Sequence, residues 1–273
     1  MQGTEEPFKW VISECLKIGD KLGSPIKTCT AESMIGAGGL ASLMCRLNLL
    51  LEDGSTRTLV AKWLAPDHLV NSKNLGQPRE CVFYSHPIAS ELGSAVPRVW
   101  HSVGSMDTGE KLLIMEDLSS EGAVQAGYFY GPGTPHNHGR DLASIVAANG
   151  GVSAVEMTRK AFSIAAKLHS AYWDQLDLLK TWNWLRGAQW INHQDQKSWE
   201  SSQSLVKNMW TQGRLLRKGI TWDPLLVSCM DSSIAKANWA DFQKEYVDGK
   251  IARTLVHGDF HPANFMFIHK QDR

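Results

Sequence analysis

Leu255-Val-His-Gly-Asp-Phe-His-Pro-Ala-Asn-Phe-Met-Phe267 is the stretch on which the reading of this chain turns. An apolar dipeptide leads into His257-Gly258-Asp259, Asn264 follows Asp259 by five positions, and apolar residues resume at once. A carboxylate can accept a proton, and a carboxamide offers a neutral oxygen that can meet a hard divalent cation. Transfer of a phosphoryl group to an alcohol needs both, because an alcohol is a poor nucleophile until a base is positioned on it and the phosphate charge is neutralised. Two other readings stand beside this one. The segment could be a buried strand and turn whose polar residues only satisfy the backbone. Alternatively, His257, Asp259 and His261 alternate, so a regular strand would gather them on one face as a hydrolytic metal site. Gly258 and Pro262 argue against such a strand.

Outward from this stretch, the chain divides by character. Ser42–Glu52 and Thr56–Trp63 are apolar, strand-like runs flanking Asp53-Gly54, a hairpin signal because glycine relieves the positive φ of the turn. A helix is predicted after Pro78 through RECVFYSHPIASEL, with Pro87 as its kink or end. Val96–Val103 and Lys111–Met115 read as two further strands around Asp107-Thr108-Gly109. Gly127–Gly139 is rich in Gly, Pro and His and reads as a surface loop. Ser153-Ala-Val-Glu156 has the form of a capping box, and Val155, Phe162, Ala165, Leu168 and Tyr172 behind it recur at helical spacing as a buried face. Trp182–Val247 reads as mostly helical, broken near Gly213, Gly219 and Pro224. The result is strands with one inserted helix, followed by helices.

HGDFHPANFMF resembles the catalytic loop of the aminoglycoside phosphotransferase and choline kinase family, including its ecdysteroid-kinase-like (CHK) branch. That family writes HGDxHxxN where protein kinases write HRDxKxxN, and His261 stands at the lysine position. AKLHSAYW, Ala166–Trp173, resembles the helical segment that precedes the loop in that family. The resemblance runs from about Met34 to the C-terminus. It implies an α+β, protein-kinase-like fold of two lobes: residues 1–117 as a nucleotide-binding lobe with a five-stranded antiparallel sheet and one helix, and residues 118–273 as a helical lobe. It implies ATP and Mg²⁺ between the lobes, Asp259 and His257 as catalytic residues, and Asn264 as a metal ligand.

Upstream residues follow the order this resemblance requires. Lys62 ends the strand LVAKW and resembles the lysine that grips the α and β phosphates, although a lysine at a strand end is usually solvated. Glu80 opens RECVFY and would hold the Lys62 ammonium, or else be an ordinary exposed helix glutamate. Gly36, Gly38 and Gly39 precede the first hairpin, where backbone amides would approach phosphate oxygens; a plain turn would read the same. Leu112-Leu-Ile-Met-Glu-Asp-Leu118 resembles the strand entering the hinge, with Met115, Glu116 and Leu118 against the adenine edge. The further metal-binding aspartate of the kinase-like pattern is expected after a short hairpin, and Asp272, the one acid after Asp259, falls in the turn itself. The reading is therefore an ATP-dependent phosphotransferase to a small-molecule hydroxyl, truncated as given. The alternative is a nucleotide-binding or scaffold protein of the same fold that does not catalyse.

Composition bounds the remaining classes. Across 273 residues, 28 Lys and Arg balance 28 Asp and Glu, which disfavours non-specific nucleic-acid binding. No run approaches the ~20 apolar residues of a membrane span, and Met1–Asp20 lacks the apolar core of a signal peptide, so a cytoplasmic protein is expected. Five scattered cysteines, Cys15, Cys29, Cys45, Cys81 and Cys229, form no CxxC and read as buried thiols. Eight of the 11 tryptophans lie between Trp173 and Trp239, as core or as walls of an acceptor pocket. A small alcohol is the expected partner, with an apolar or quaternary-amine acceptor favoured by those rings.

Overall fold

The computed structural model describes residues 8–34, 42–133, 137–217 and 219–269. The glycines expected over the phosphates, Gly36, Gly38 and Gly39, and the acid Asp272 lie outside the described residues. The fold is α+β, and the chain divides into two compact units. One comprises Met1–Leu168 with Val256–Arg273, the other His169–Leu255. This division groups the quoted loop and residues 118–168 with the sheet, a different partition from the lobe boundary expected at 117/118.

The first unit is built on a five-stranded antiparallel sheet of β1 (Ile26–Ser33), β2 (Ser42–Leu51), β3 (Thr56–Leu64), β4 (Val99–Gly104) and β5 (Lys111–Glu116), in the order β1-β2-β3-β5-β4. Four of these are the strands read from the sequence. Gly54, at φ +83°, turns β2 into β3, and Asp53 Oδ1 accepts from Ser55 N at 2.9 Å across the tip. Strand alternation sorts the side chains. Cys45, Leu47, Leu49 and Leu51, with Leu59, Ala61, Trp63, Leu112 and Ile114, form one buried face. The expectation of a single helix on this sheet is corrected. That face is covered by α1 (Lys9–Leu16) and α2 (Gly19–Leu22), through Val11, Cys15, Ile18 and Leu22. The charged residues interleaved in this segment hide a 3–4 residue apolar period that is legible only once the covered face is known.

Three short helices follow β3: α3 (Leu69–Leu75), α4 (Arg79–Ser85) and α5 (Pro87–Glu91). The break between the last two falls at His86, which is extended (φ −90°, ψ 148°) because the pyrrolidine ring of Pro87 disfavours helical backbone before it. Gly109, at φ +86°, brings the β4–β5 turn against α3, and a Cβ there would lie 2.2 Å from Leu69 O. Ser72 Oγ donates to Gly109 O at 2.6 Å and fixes that approach.

Beyond β5 the first unit continues through α6 (Leu142–Ala148) and α7 (Ala154–Ala171), which runs on into the second unit. Ser153 Oγ caps α7 by accepting from Glu156 N at 3.2 Å. The reciprocal half of the expected box is replaced by ion pairs of Glu156 with Lys160 (3.5 Å) and Arg159 (3.7 Å). The buried face expected on α7 is corrected in part: Met157 and Ala165 are buried, whereas Val155 and Phe162 are 68% and 63% exposed. Helical spacing reports an apolar stripe but not what lies against it.

The second unit holds α8 (Leu176–Lys180), α9 (Ala188–Ile191), α10 (Gln196–Leu216), α11 (Pro224–Lys236), α12 (Trp239–Asp241) and a π-helical turn at Phe242–Val247. The helix break expected near Gly213 is also corrected, because Gly213 lies within α10; the break comes at Arg217. Pro224 occupies the first turn of α11, where its missing N–H costs nothing, and Asp223 caps that turn. Aromatic contacts hold this unit. Trp199, 6% exposed, meets Trp239 at 5.8 Å and Phe242 at 5.4 Å, and Trp210 packs edge-on to Trp222 at 5.4 Å. Trp199 is the only buried residue of α10, and α11 buries none. Trp199→Ala is therefore expected to cost about 3–5 kcal/mol of the second unit's stability, read by urea denaturation followed through tryptophan fluorescence.

Among the described residues no helix is long and apolar enough to cross a membrane. All five cysteines are free; Cys229 is exposed, against the expectation that the thiols are buried.

Candidate functional site

Lys62 stands on β3 opposite Leu113 of β5, on the sheet face away from α1. Lys111, two residues before Leu113, shares that face. α4 packs against β4 and β5 and carries Glu80 in its first turn. Lys62 Nζ donates to Glu80 Oε1 at 2.8 Å and to Oε2 at 3.0 Å. The sequence-predicted pair therefore forms, and the readings of Lys62 as a solvated lysine and Glu80 as an exposed one do not hold: their side chains are 26% and 30% exposed. The same carboxylate accepts from Lys111 Nζ at 2.5 Å through Oε2. Lys111, whose side chain is 4% exposed, is a site residue that sequence reasoning missed. Burial alone would raise the Glu80 carboxyl, but the two ammonium groups outweigh it and hold it below the usual glutamate value. Burial pushes the Lys111 ammonium down, against the pull of Glu80.

The end of β5 carries the residues expected at the hinge. Met115 pairs with Val60 of β3 and Val99 of β4. Glu116 is tied to Arg98 twice: its N–H donates to Arg98 O at 2.9 Å, and its Oε1 accepts from Arg98 N at 2.7 Å. Leu118 opens a 3₁₀ turn, Leu118–Glu121, so its N–H has no partner within that turn. Asp117 lies between them. It is buried, accepting from Arg46 Nε at 2.7 Å, Ser119 N at 3.0 Å and Ser119 Oγ at 2.5 Å. Burial alone would raise its carboxyl, but these donors outweigh it and hold it below the usual aspartate value. The sign follows from linkage: the stabilisation is complete above the unfolded aspartate pKa, ~3.9, and is lost as the pH falls through the lower folded value. Asp117→Asn is expected to cost about 1.5–3 kcal/mol at pH 7 and to flatten the acid limb of the stability profile, measured by urea midpoints between pH 3 and 7.

The quoted loop is fixed by a second, smaller core. Ala126, Phe129 and Met157 of α7 are buried with Phe265 and Phe267 against them. β6 (Val124–Gln125) pairs antiparallel with β7 (Met266–Phe267). Ala126 N donates to Phe265 O at 2.9 Å, and Gln125 Nε2 to Ala263 O at 3.0 Å. Phe260 packs edge-on to Phe265 at 4.4 Å and to Phe162 of α7 at 5.7 Å. These anchors place Asp259 and Asn264 together. Asn264 Nδ2 donates to Asp259 Oδ2 at 2.9 Å and to Asp259 O at 2.8 Å. The Asp259 side chain is 75% exposed, with His261 Nε2 at 3.6 Å. His257 turns inward to its own loop, Nδ1 accepting from Asp259 N at 3.2 Å, which orients the aspartate backbone.

Residues 256–261 form no strand, and Gly258 sits at φ +82°. The single-face alternation that a His257–Asp259–His261 metal site would need is therefore not met. Among the described residues no three His, Cys, Asp or Glu side chains gather into a metal-holding group. Two shallow surface depressions, one bordered by Thr28, Asn48 and Arg57, the other by Tyr128, Leu142 and Val146, include neither Lys62 nor Asp259.

No protein-family model, no curated protein and no solved structure matches this chain.

Proposed function

We propose that this protein is an ATP-dependent phosphotransferase that acts on the hydroxyl group of a small molecule, with a protein-kinase-like two-lobed fold of the aminoglycoside phosphotransferase and choline kinase type. The observation that carries this reading is the contact of Lys62 with Glu80 at 2.8 and 3.0 Å, joining a strand lysine to a helix glutamate 18 residues away. An ammonium held in this way is oriented for the α and β phosphates of a nucleotide. The Asp259–Asn264 pair supplies the other half of the chemistry. Asp259, exposed and held by an amide, would accept the proton of an acceptor hydroxyl as the phosphoryl group arrives. Because Asn264 spends its NH₂ on Asp259, its Oδ1 is the atom left to meet a cation.

The donor set fits Mg²⁺, a hard ion that takes one or two protein oxygens and fills its shell from phosphates and water. Asn264 Oδ1 would hold it, and the ion would neutralise charge on the phosphate oxygens. The adenine edge would meet the backbone at Glu116 and Leu118, where the Leu118 N–H lacks an intrahelical partner.

The reading is tested by incubating the chain with MgATP and a panel of small alcohols, including quaternary-amine alcohols, and measuring ADP release. Acceptor-dependent ADP release that falls at least about tenfold in Lys62→Ala is expected. Tight MgATP binding with no acceptor-dependent ADP release would instead point to a nucleotide-binding protein that does not catalyse.

A further inference from the structure

We propose that Lys111 is a positioning residue that leaves the Lys62 ammonium with uncompensated charge for a polyphosphate ligand; this rests on the phosphotransferase reading given above. A lysine and a glutamate alone make a neutral pair, and the carboxylate then screens the ammonium from any anionic ligand. Here the carboxylate is shared. Glu80 Oε2 takes Lys111 Nζ at 2.5 Å and Lys62 Nζ at 3.0 Å, while Oε1 takes Lys62 at 2.8 Å. Two ammonium groups against one carboxylate leave a cluster of formal charge +1.

Exposure decides where that charge acts. The Lys111 side chain is 4% exposed and also has Ser42 Oγ at 3.5 Å, so its ammonium is enclosed and does not meet a ligand itself. The Lys62 side chain is 26% exposed, so of the two ammonium groups it is the accessible one. Burying an ammonium is unfavourable unless it is paired, and here the pairing partner is one that already has a cation. The strand register fixes this arrangement, because Lys62 pairs with Leu113 and Lys111 lies two residues along on the same face. Lys111 thus neutralises Glu80 from the enclosed side, and Lys62 keeps charge for an oligoanion on the open side. The ligand chemistry this selects is a chain of phosphates rather than a neutral nucleoside.

Isothermal titration with three probes, MgATP, inorganic tripolyphosphate and adenosine, separates this role from a structural one. Lys111→Met is expected to weaken tripolyphosphate and MgATP by about tenfold, the effect of removing one nearby unit charge, and to leave adenosine affinity unchanged. Should Lys111→Met not fold, Lys111→Gln, which offers Glu80 a neutral donor, carries the same expectation, with circular dichroism confirming its fold. Wild-type tripolyphosphate affinity in a folded Lys111 variant overturns the proposal, as does equal weakening of adenosine and tripolyphosphate. Failure of the wild-type chain to bind tripolyphosphate overturns it too. Binding of tripolyphosphate but not MgATP, with loss in Lys111→Met, sustains the Lys111 role while refuting the ATP-dependent reading.

Discussion

Asp259→Asn is expected to lower acceptor phosphorylation by about 10²–10⁴-fold, the usual contribution of a positioned general base, while leaving MgATP affinity within a factor of about two. The asparagine is chosen because its Oδ1 can still accept from Asn264 Nδ2, the 2.9 Å bond that ties the two side chains together. The variant therefore removes a proton acceptor and little else. Because the Asp259 side chain is 75% exposed, stability should move by no more than about 0.5 kcal/mol. Initial rates at saturating MgATP, with the affinity measured separately, check both halves. Unchanged turnover would show that the carboxylate is not the base.

Glu80→Gln is expected to act on stability as well as on activity. It leaves Lys111, 4% exposed, beside Lys62 with no counter-charge between them. Breaking a fully buried pair costs about 3–5 kcal/mol, and the partial exposure of Glu80 reduces this to about 2 kcal/mol. Adding Lys111→Met to Glu80→Gln removes the stranded ammonium, so the double variant should be more stable than the sum of the single effects, a coupling that urea denaturation of all four proteins measures. The pH dependence has a definite sign. The folded Glu80 carboxyl lies below its usual value of 4.5, so its stabilisation is present above about pH 4.5 and is lost as the pH falls through the folded value. Glu80→Gln should remove that part of the acid sensitivity.

Several features of this molecule are legible in the amino-acid sequence because they are local. The β2–β3 hairpin is marked by Asp53-Gly54, the end of α4 by Pro87, and the cap of α7 by Ser153, each a residue whose own geometry dictates the turn or terminus. The Asp259–Asn264 pair belongs to this class, since five residues of chain and one 3₁₀ turn, Pro262–Asn264, suffice to bring them together. Lys62 and Glu80 were readable as a pair only through the resemblance, because their meeting depends on α4 packing back against β4 and β5.

What stayed hidden depends on register and on partners. Lys111 opens an otherwise apolar strand, and nothing in KLLIM tells that a one-residue change in pairing would carry it to the opposite face from Lys62. Asp117 sits in a sequence of acids, Glu116-Asp117, and its burial follows from Arg46 on β2, 71 residues away. The helix pair α1–α2 was missed because its apolar positions are interrupted by lysines and acids that face solvent. On α7 the error ran the other way: the period was present, yet Val155 and Phe162 are largely exposed. Periodicity marks a stripe; only the packed neighbours decide its burial.

Phosphorus NMR of the chain mixed with MgATP and small alcohols reads the central claim most directly. The account predicts that the γ-phosphate signal passes into a phosphomonoester with matching appearance of ADP, and that Asp259→Asn abolishes this transfer while still binding the nucleotide. Phosphomonoester formed at the wild-type rate by Asp259→Asn, or no transfer to any alcohol by a wild-type chain that binds MgATP, would contradict it.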